Sequence, residues 1–138
     1  MSFEALEALI GKRVLEVKIN PSNDLLQFVT DQGTHFFKAV GDCCSTSWIE
    51  HFNNLIALQG QIVVDVNEVN KGEDPDDKRD ECVDVYIYQL LTEKGVVEIE
   101  MRNGSNGYYC GWIKEISEKD LLLENQNFLD LKPLLADF

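Results

Sequence analysis

The length, composition and charge of this chain indicate a compact acidic protein and argue against several function classes. Its 138 residues suffice for one hydrophobic core, and 44% of them are hydrophobic. The net charge of −13, from 25 acidic and 12 basic residues, repels phosphate backbones and anionic membrane surfaces. We therefore expect no nucleic-acid partner.

The sequence also predicts no membrane partner and no secretion. No apolar run approaches the length of about 20 residues that a membrane-spanning helix needs. The N-terminal residues include acids where a secretory signal needs basic residues. We therefore predict a cytoplasmic protein whose four cysteines are reduced thiols.

The first part of the chain predicts a short helix followed by an antiparallel meander. Apolar residues at three- and four-residue spacing over Ser2 to Ile10 predict one or two helical turns. Alternating polar and apolar residues, interrupted by Pro, Asn and Gly, then predict three strands. These strands are Lys12 to Ile19, Leu25 to Thr30 and Thr34 to Val40. In the first of them, we expect Leu15 on the buried face.

The segment from Val40 to Gly60 predicts the main helix. Ser47 followed three residues later by Glu50 is a capping box, in which each side chain bonds a backbone amide at the helix start. Apolar residues follow at helical spacing, and Gly60 is a natural helix end. We therefore predict a helix of about three turns from Trp48 to Leu58, against which the sheet packs.

The second half of the chain predicts further strands, an acidic loop and an apolar tail. The strands are Gln61 to Asn67, Cys82 to Leu91, Val96 to Arg102 and Tyr108 to Ile116. The tail leaves two alternatives, because Ser117 either caps a short helix through Leu123 or precedes a hairpin turn. Its leucines are too apolar to be free, so we expect the tail to pack on the body or on a partner, which leaves a homo-oligomer open.

Together these elements predict an α+β fold. We expect an antiparallel sheet of about six to seven strands (β-β-β-α-β-β-β) packed on one main helix, with a short N-terminal helix and an irregular C-terminal tail. Residues 1–138 are predicted to form a single domain. It divides into a core over 11–116, a mobile acidic loop over 68–81 and a C-terminal extension over 117–138.

Six residues suit zinc, but their spacing argues against a zinc site. They are His35, Cys43, Cys44, His51, Cys82 and Cys110. Structural zinc sites use ligand pairs about two to four residues apart, whereas Cys43 and Cys44 are adjacent and the other cysteines lie alone in separate strands. The acidic loop lacks the spacing and central glycine of an EF-hand. We expect neither a metal nor any other cofactor.

The Cys43-Cys44 pair is a candidate reactive thiol. It precedes the predicted helix, whose macrodipole would favour a thiolate. Asp42 and Glu50 act in the opposite direction, since negative charge raises the pKa of a thiol. A loop-to-helix corner with one buried cysteine is the structural alternative.

A second candidate site is Gly104 to Gly107 with the two tyrosines that follow. Its glycines permit unusual backbone angles, Ser105 and Asn106 supply hydrogen bonds, and Tyr108 and Tyr109 can stack on a ring. A plain glycine turn flanked by cross-strand tyrosine pairs explains the same residues structurally.

Both motifs resemble those of an uncharacterised family of small bacterial and bacteriophage proteins. The resemblance lies in Asp42-Cys43-Cys44-Ser45, Ile49-Glu50, Leu55-Ile56, Gly60-Gln61-Ile62 and Gly104-Ser105-Asn106-Gly107-Tyr108-Tyr109. It covers roughly Gly11 to Ile116, and Ser45 stands where the family usually has an acid. The resemblance implies a bacterial or phage cytoplasmic setting and carries no activity.

We therefore predict a non-enzymatic binding domain that recognises a small polar ligand, for example a nucleotide-like one, or a protein partner. The predicted ligand-binding residues are Asp42, Cys43, Cys44, Ser105, Asn106, Tyr108 and Tyr109. We predict no catalytic residue. The alternatives are a thiol-dependent enzyme or redox sensor built on Cys43 or Cys44, and a structural oligomerisation module.

Overall fold

The computed structural model describes residues 5–42, 44–74, 82–105, 110–124 and 130–137. Within these ranges the chain is mostly β-strand, with one short α-helix and two 3-10 helices. The strands are β1 Arg13–Ile19, β2 Leu25–Thr30, β3 Gly33–Gly41, β4 Thr46–Asn53, β5 Gln61–Ile62, β6 Asp65–Glu73, β7 Cys82–Thr92, β8 Gly95–Ser105, β9 Gly111–Ile116 and β10 Lys132–Pro133. The 3-10 helices are Ala5–Leu9 and Leu55–Ala57, and α1 is Glu118–Leu123.

The strands form two antiparallel sheets that enclose an apolar core. The first sheet has the order β10-β1-β2-β3-β9, with β5 paired to β1, and the second has the order β4-β8-β7-β6. Apolar residues of both sheets join in one buried cluster, including Phe28 and Phe37 from the first and Phe52 and Ile99 from the second. Among the described residues, no helix combines the length and apolar character needed to cross a bilayer.

Two tyrosines of β7 link the sheets. The Tyr86 hydroxyl accepts a hydrogen bond of 3.4 Å from the Gly111 amide, and the Tyr88 hydroxyl accepts one of 3.3 Å from the Ile113 amide. These amides belong to β9, the edge strand of the first sheet. The phenols therefore satisfy backbone donors that a buried sheet edge would otherwise leave unpaired.

The predicted α+β fold is wrong, because the segment expected to form the main helix is largely a strand. Residues Thr46–Asn53 form β4, which pairs with β8, and only a 3-10 turn at Leu55–Ala57 follows. The Ser47 hydroxyl donates to the Val40 carbonyl at 2.8 Å rather than capping a helix. The predicted capping box is therefore absent.

A β-bulge explains the misleading pattern. The pairing of β4 with β8 shifts register between Ile49 and His51, so Glu50 is an extra residue in the strand. The buried positions consequently change from the two-residue spacing of Ser47 and Ile49 to the three-residue spacing of Ile49 and Phe52. With Leu55 buried in the next turn, the apolar spacing imitates one face of a helix.

The meander of β1, β2 and β3 is confirmed, but the predicted burial of Leu15 is wrong. A register shift between Val14 and Glu16 marks a second bulge, so that Val14 and Val17 are buried while Leu15 is 52% exposed. Farther along, β6 extends through Glu73 into the predicted acidic loop, and residues 75–81 of that loop lie outside the described part.

The tail packs on its own chain. It contains the short helix capped by Ser117, which was one of the two alternatives predicted from the sequence. The Ser117 hydroxyl accepts a hydrogen bond of 3.1 Å from the Asp120 amide and caps α1. Beyond it, β10 pairs with β1, and Leu134 packs on the core. The Asp137 carboxylate accepts hydrogen bonds of 3.0 and 2.7 Å from the amides of Asn54 and Leu55, which joins the tail to the second 3-10 helix.

Candidate functional site

At one end of the second sheet, the inward-facing side chains change from apolar to polar. One row across the sheet pairs Tyr86 with Met101 and Met101 with Ile49, all in the core. Two residues farther along each of these strands lies the next row, which β6 completes. We call it the polar row: the exposed Glu73, the half-buried Asp84, and the buried Asn103 and Ser47, each opposite the next in register.

Asn103 is the fully buried member of the polar row, with 0% of its surface exposed. Its Nδ2 donates to the hydroxyls of Ser47 at 2.9 Å and Ser45 at 3.1 Å. Those hydroxyls donate in turn to the carbonyls of Val40 and Asp42. Because both hydroxyl protons are used, the amide orientation is fixed, and Asn103 Oδ1 is left as a buried acceptor without a hydrogen-bond partner in the described structure.

Two glycines of the first sheet make room for this carboxamide. Gly41 and Gly111 are opposite each other in the register of β3 and β9. A Cβ on Gly41 would lie 2.6 Å from Asn103 Nδ2, and a Cβ on Gly111 would lie 2.9 Å from the same atom. Both distances are too short for real side chains, so the polar row packs here because neither residue has one.

One residue beyond the glycine pair, Asp42 of the first motif contacts Cys110, the residue that follows the predicted tyrosine turn. The Asp42 amide donates to the Cys110 carbonyl at 3.0 Å. The Cys110 amide and thiol both lie 3.3 Å from Asp42 Oδ2, to which they donate. The corner between β3 and β4 therefore contacts the residue that directly follows the predicted tyrosine turn.

The remaining predicted site residues lie partly outside the described ranges. Cys44 is exposed and adopts a left-handed backbone with φ of 69°, and Ser105 is buried opposite Cys82 in β7. Cys43, Asn106, Tyr108 and Tyr109 lie outside the described residues. We define the polar end as Asp42, Glu73, Asp84, Asn103 and Cys110.

Sequence reasoning missed Asp84 and Asn103 as site residues. One signal could have identified them. In both β7 and β8, every second residue is apolar and faces the core, and a polar residue then takes the next core-facing position. Asp84 continues the inward face of Tyr86, and Asn103 continues that of Met101. A carboxylate and an amide at core-facing positions need a structural or functional reason, because burying them without partners costs free energy.

The Asp84 carboxyl lies in an acidic and partly dehydrated environment. Partial burial, and secondarily the charge of Glu73, raise its pKa above the ordinary value for an aspartate. Within the described chain, no hydrogen bond to this carboxyl and no ion pair to Asp42, Glu73 or Asp84 is found. Arg102 of β8 instead pairs with Glu100 at 2.7 Å and with Asp74 at 3.0 Å.

The Cys110 thiol of the polar end and the neighbouring Cys82 thiol are held in their protonated form. The hydrogen bond to Asp42, followed by burial, raises the pKa of Cys110. The neighbouring Cys82 thiol has a raised pKa chiefly because of a hydrogen bond to Glu73. Since the thiolate is the nucleophile, both thiols are poor nucleophiles at neutral pH.

The other possible chemical sites are a metal site and the surroundings of His35. In the parts of the chain that are described, no three His, Cys, Asp or Glu side chains are grouped so that they could hold a metal ion. His35 lines a groove of about 490 Å³ between β3 and β9. Its Nδ1 contacts Glu115 at 2.7 Å and its Nε2 accepts from Lys12 at 2.8 Å, so both ring nitrogens are engaged.

Comparison with known proteins identifies the family. Residues 7–114 match the family described as Domain of unknown function (DUF7448). The chain belongs to this family. It is 30% identical over 111 residues to "Uncharacterized protein L278" of Acanthamoeba polyphaga mimivirus, a match that covers 76% of this chain and 87% of the relative. No solved structure matches the chain.

Membership in this family agrees with the expected resemblance to a family without an assigned activity. The matched region, residues 7–114, contains the whole polar end and ends inside β9. The name of the mimivirus relative assigns it no ligand or reaction.

Proposed function

We propose that this DUF7448 protein is a non-enzymatic binding domain whose recognition surface is the polar end. The observation that carries the proposal is the contact between Asp42 and Cys110. It brings two segments far apart in the sequence to the end of the molecule where Asn103 Oδ1 has no hydrogen-bond partner and, within the described residues, no hydrogen bond to the Asp84 carboxyl is found. Unsatisfied acceptors beside a sheet end are expected where another molecule completes the hydrogen bonds.

The ligand is either a small polar molecule or a polar group on a protein partner. Asp84 and Asp42 are partly exposed, so a ligand reaches their carboxylates from solvent. Asn103 lies beneath them as the buried floor of the site. Because Asn103 is held by two serines, the floor is preorganised, which lowers the entropic cost of binding.

The thiol-dependent alternative loses its main physical support. Cys44 precedes strand β4 and not a helix, so no helix dipole stabilises a thiolate there. The other described thiols, Cys82 and Cys110, have raised pKa values because they donate to carboxylates. Acids at hydrogen-bonding distance oppose the activation that nucleophilic catalysis needs.

The oligomerisation alternative is also weakened, because the tail has a binding place on its own chain. Leu131 is buried, Leu134 packs on the core and β10 adds to β1. Three described leucines of the extension stay largely exposed, namely Leu122, Leu123 and Leu135. Scattered exposed leucines are a weak basis for a dimer.

We further propose a cytoplasmic setting and a bacterial or phage origin, in line with the sequence resemblance. Free thiols and an acidic surface support the first. The mimivirus relative is a protein of a virus of another kind. The Asp-Cys-Cys and Ser-Asn-Gly-Tyr-Tyr motifs are proposed as family marks because the sequence resemblance rests on them.

A paired thermal-shift screen tests the binding function. Wild-type protein and the Asp84→Asn variant are screened against the same metabolite library, and both serve as bait for partner capture from a lysate. We expect at least one compound or partner that stabilises or binds the wild type and loses most of its effect in the variant. Glu93→Gln, which removes a carboxylate in the turn at the other end of β7, is the matched control.

The binding function is contradicted if every stabilising compound and every captured partner acts equally on wild type and Asp84→Asn. In that case the polar end is a structural feature, and recognition lies on another surface.

A further inference from the structure

The unpartnered groups of the polar end are all hydrogen-bond acceptors. Asp84 and Asn103 face each other across β7 and β8, on the same face of the sheet. Asn103 Oδ1 is buried without a partner, and Asp84 accepts no hydrogen bond within the described ranges. Two adjacent acceptors cannot satisfy each other without a donor between them.

The Asn103 carbonyl is directed away from the groups that hold the amide. Nδ2 bonds two serines at the start of β4 and lies close to the two glycines of the first sheet. Because Nδ2 and Oδ1 are opposite arms of a planar group, Oδ1 points away from β4. The strand on that other side of β8 is β7, with Asp84 as the residue opposite.

Among the described residues, the charges around these acceptors that have no ion-pair partner are all negative. Glu73 lies opposite Asp84 in the register of β6 and β7, and Asp42 lies on the far side of the Cys110 thiol. No described Lys or Arg pairs with any of the three carboxylates, since Arg102 is engaged by Glu100 and Asp74. Carboxylates without an ion-pair partner favour a cation, and the effect is strongest where the carboxylate is partly buried, as at Asp84.

We infer that the polar end binds an organic cation, an ammonium or guanidinium group seated on the Asp84 carboxylate beside the Asn103 carbonyl. One positive donor at this place compensates both the carboxylate charge and the negative end of the buried carbonyl dipole. The inference rests on the proposed binding function and specifies its ligand. A guanidinium on a small molecule and one on an arginine side chain share this chemistry.

The same features disfavour the two other ligand classes considered from the sequence. A nucleotide-like ligand brings phosphates, which Asp42, Glu73 and Asp84 repel. A metal ion needs several ligands at short distance, and no grouping of three suitable side chains occurs in the described residues. A donor-rich organic cation needs only one carboxylate and adjacent acceptors.

Calorimetric titration of the full chain tests this inference. The probes are agmatine as a free guanidinium compound, a capped Gly-Arg-Gly peptide as an arginine side chain, and AMP as a phosphate ligand. We expect a guanidinium probe to bind and AMP to show no binding, and the tighter of the two guanidinium arms identifies the source. Added salt should weaken the binding because partly exposed charges are screened.

Variants give the decisive comparison. Asp84→Asn is nearly isosteric and should weaken guanidinium binding about tenfold, as expected for the loss of a charge-assisted hydrogen bond. Glu73→Gln should weaken it less, and it provides a second test if Asp84→Asn does not fold. Glu93→Gln at the other end of β7 should leave the affinity within about twofold, since its charge is remote and screened.

Three results would overturn the inference: no binding of either guanidinium probe, binding of AMP that depends on Asp84, or equal weakening by Glu93→Gln. AMP binding at Asp84 would refute the ligand class and leave the proposed function intact. Failure of all three probes together with an unchanged thermal-shift profile in Asp84→Asn would refute both.

Discussion

Asn103 determines how the polar end is built at the level of single residues. A buried amide costs free energy unless its groups are bonded, and the protein satisfies only the Nδ2 arm, through Ser45 and Ser47. Gly41 and Gly111 are required beside it because there is no room for a Cβ. A cluster that is rigid on one side and unsatisfied on the other is typical of a site and not of a core.

The Gly111→Ala substitution tests this packing. The added Cβ would lie 3.0 Å from Asn103 Cβ and 2.9 Å from Asn103 Nδ2, so the carboxamide has to shift. We expect a loss of about 1–3 kcal/mol in the free energy of unfolding, as for other overpacked sites, measured by urea denaturation. An unchanged midpoint would show that the space around Asn103 is larger than described.

The strands β1 and β4 show why the alternation of apolar residues led to wrong predictions. In each strand one extra residue forms a bulge, and the two-residue alternation of buried side chains is lost. In β4 the resulting three-residue step from Ile49 to Phe52, together with Ser47 and Glu50, has the appearance of a capped helix. Bulges depend on the partner strand, so one strand's sequence does not reveal them.

The bulge in β1 leads to a prediction that distinguishes the burial expected from the sequence from the burial seen in the structure. Leu15→Ala should cost less than about 1 kcal/mol because Leu15 is 52% exposed. Val17→Ala, at a fully buried position of the same strand, should cost more, roughly 1–3 kcal/mol. Urea unfolding of the two variants provides the comparison, and equal costs would contradict the register shift.

The hydrogen bonds of Asp137 in the tail predict how the stability of the protein depends on pH. Hydrogen bonds from the Leu55 and Asn54 amides lower the pKa of Asp137. A lowered pKa in the folded state means that this contribution to stability is complete above the unfolded value of about 3.9. It is lost as the pH falls below that value, through the folded-state pKa.

Asp137→Asn is therefore expected to lower the melting temperature at pH 7 and to have little effect near pH 2. Asp130→Asn, another exposed acid in the tail, is the matched control and should leave the melting temperature unchanged at both values. A destabilisation by Asp137→Asn that is the same at both pH values would show that the carboxylate charge has no part in holding the tail.

For the whole molecule, the sequence predicted local structure better than architecture. Alternation and turn residues located β1, β2, β3, β7 and β8 closely, because those signals are local. The division into two sheets depends on contacts between distant segments, such as the phenol of Tyr86 with the amide of Gly111. Nothing near either residue encodes that contact.

The candidate site was predictable only in part for the same reason. Asp42 was singled out from its motif, and the structure brings it to Cys110. Asp84 and Asn103 were missed because their importance comes from being opposite each other across two strands and beside Gly41 and Gly111. The net charge of −13 predicted an acidic surface, but it did not predict which carboxylates would lack an ion-pair partner.

The most direct test of the polar end as a cation site is the titration of the Asp84 carboxyl by carbon-detected NMR, with and without saturating agmatine. Among the described residues, Glu73 is the charged group that acts on the Asp84 carboxyl, and the nearby cation, Arg102, pairs with Glu100 and Asp74. In the free protein, burial and Glu73 should hold the pKa of Asp84 above about 3.9. Bound agmatine should lower that pKa, because a nearby positive charge favours the carboxylate. The same pKa for Asp84 in the presence and absence of agmatine would contradict the account.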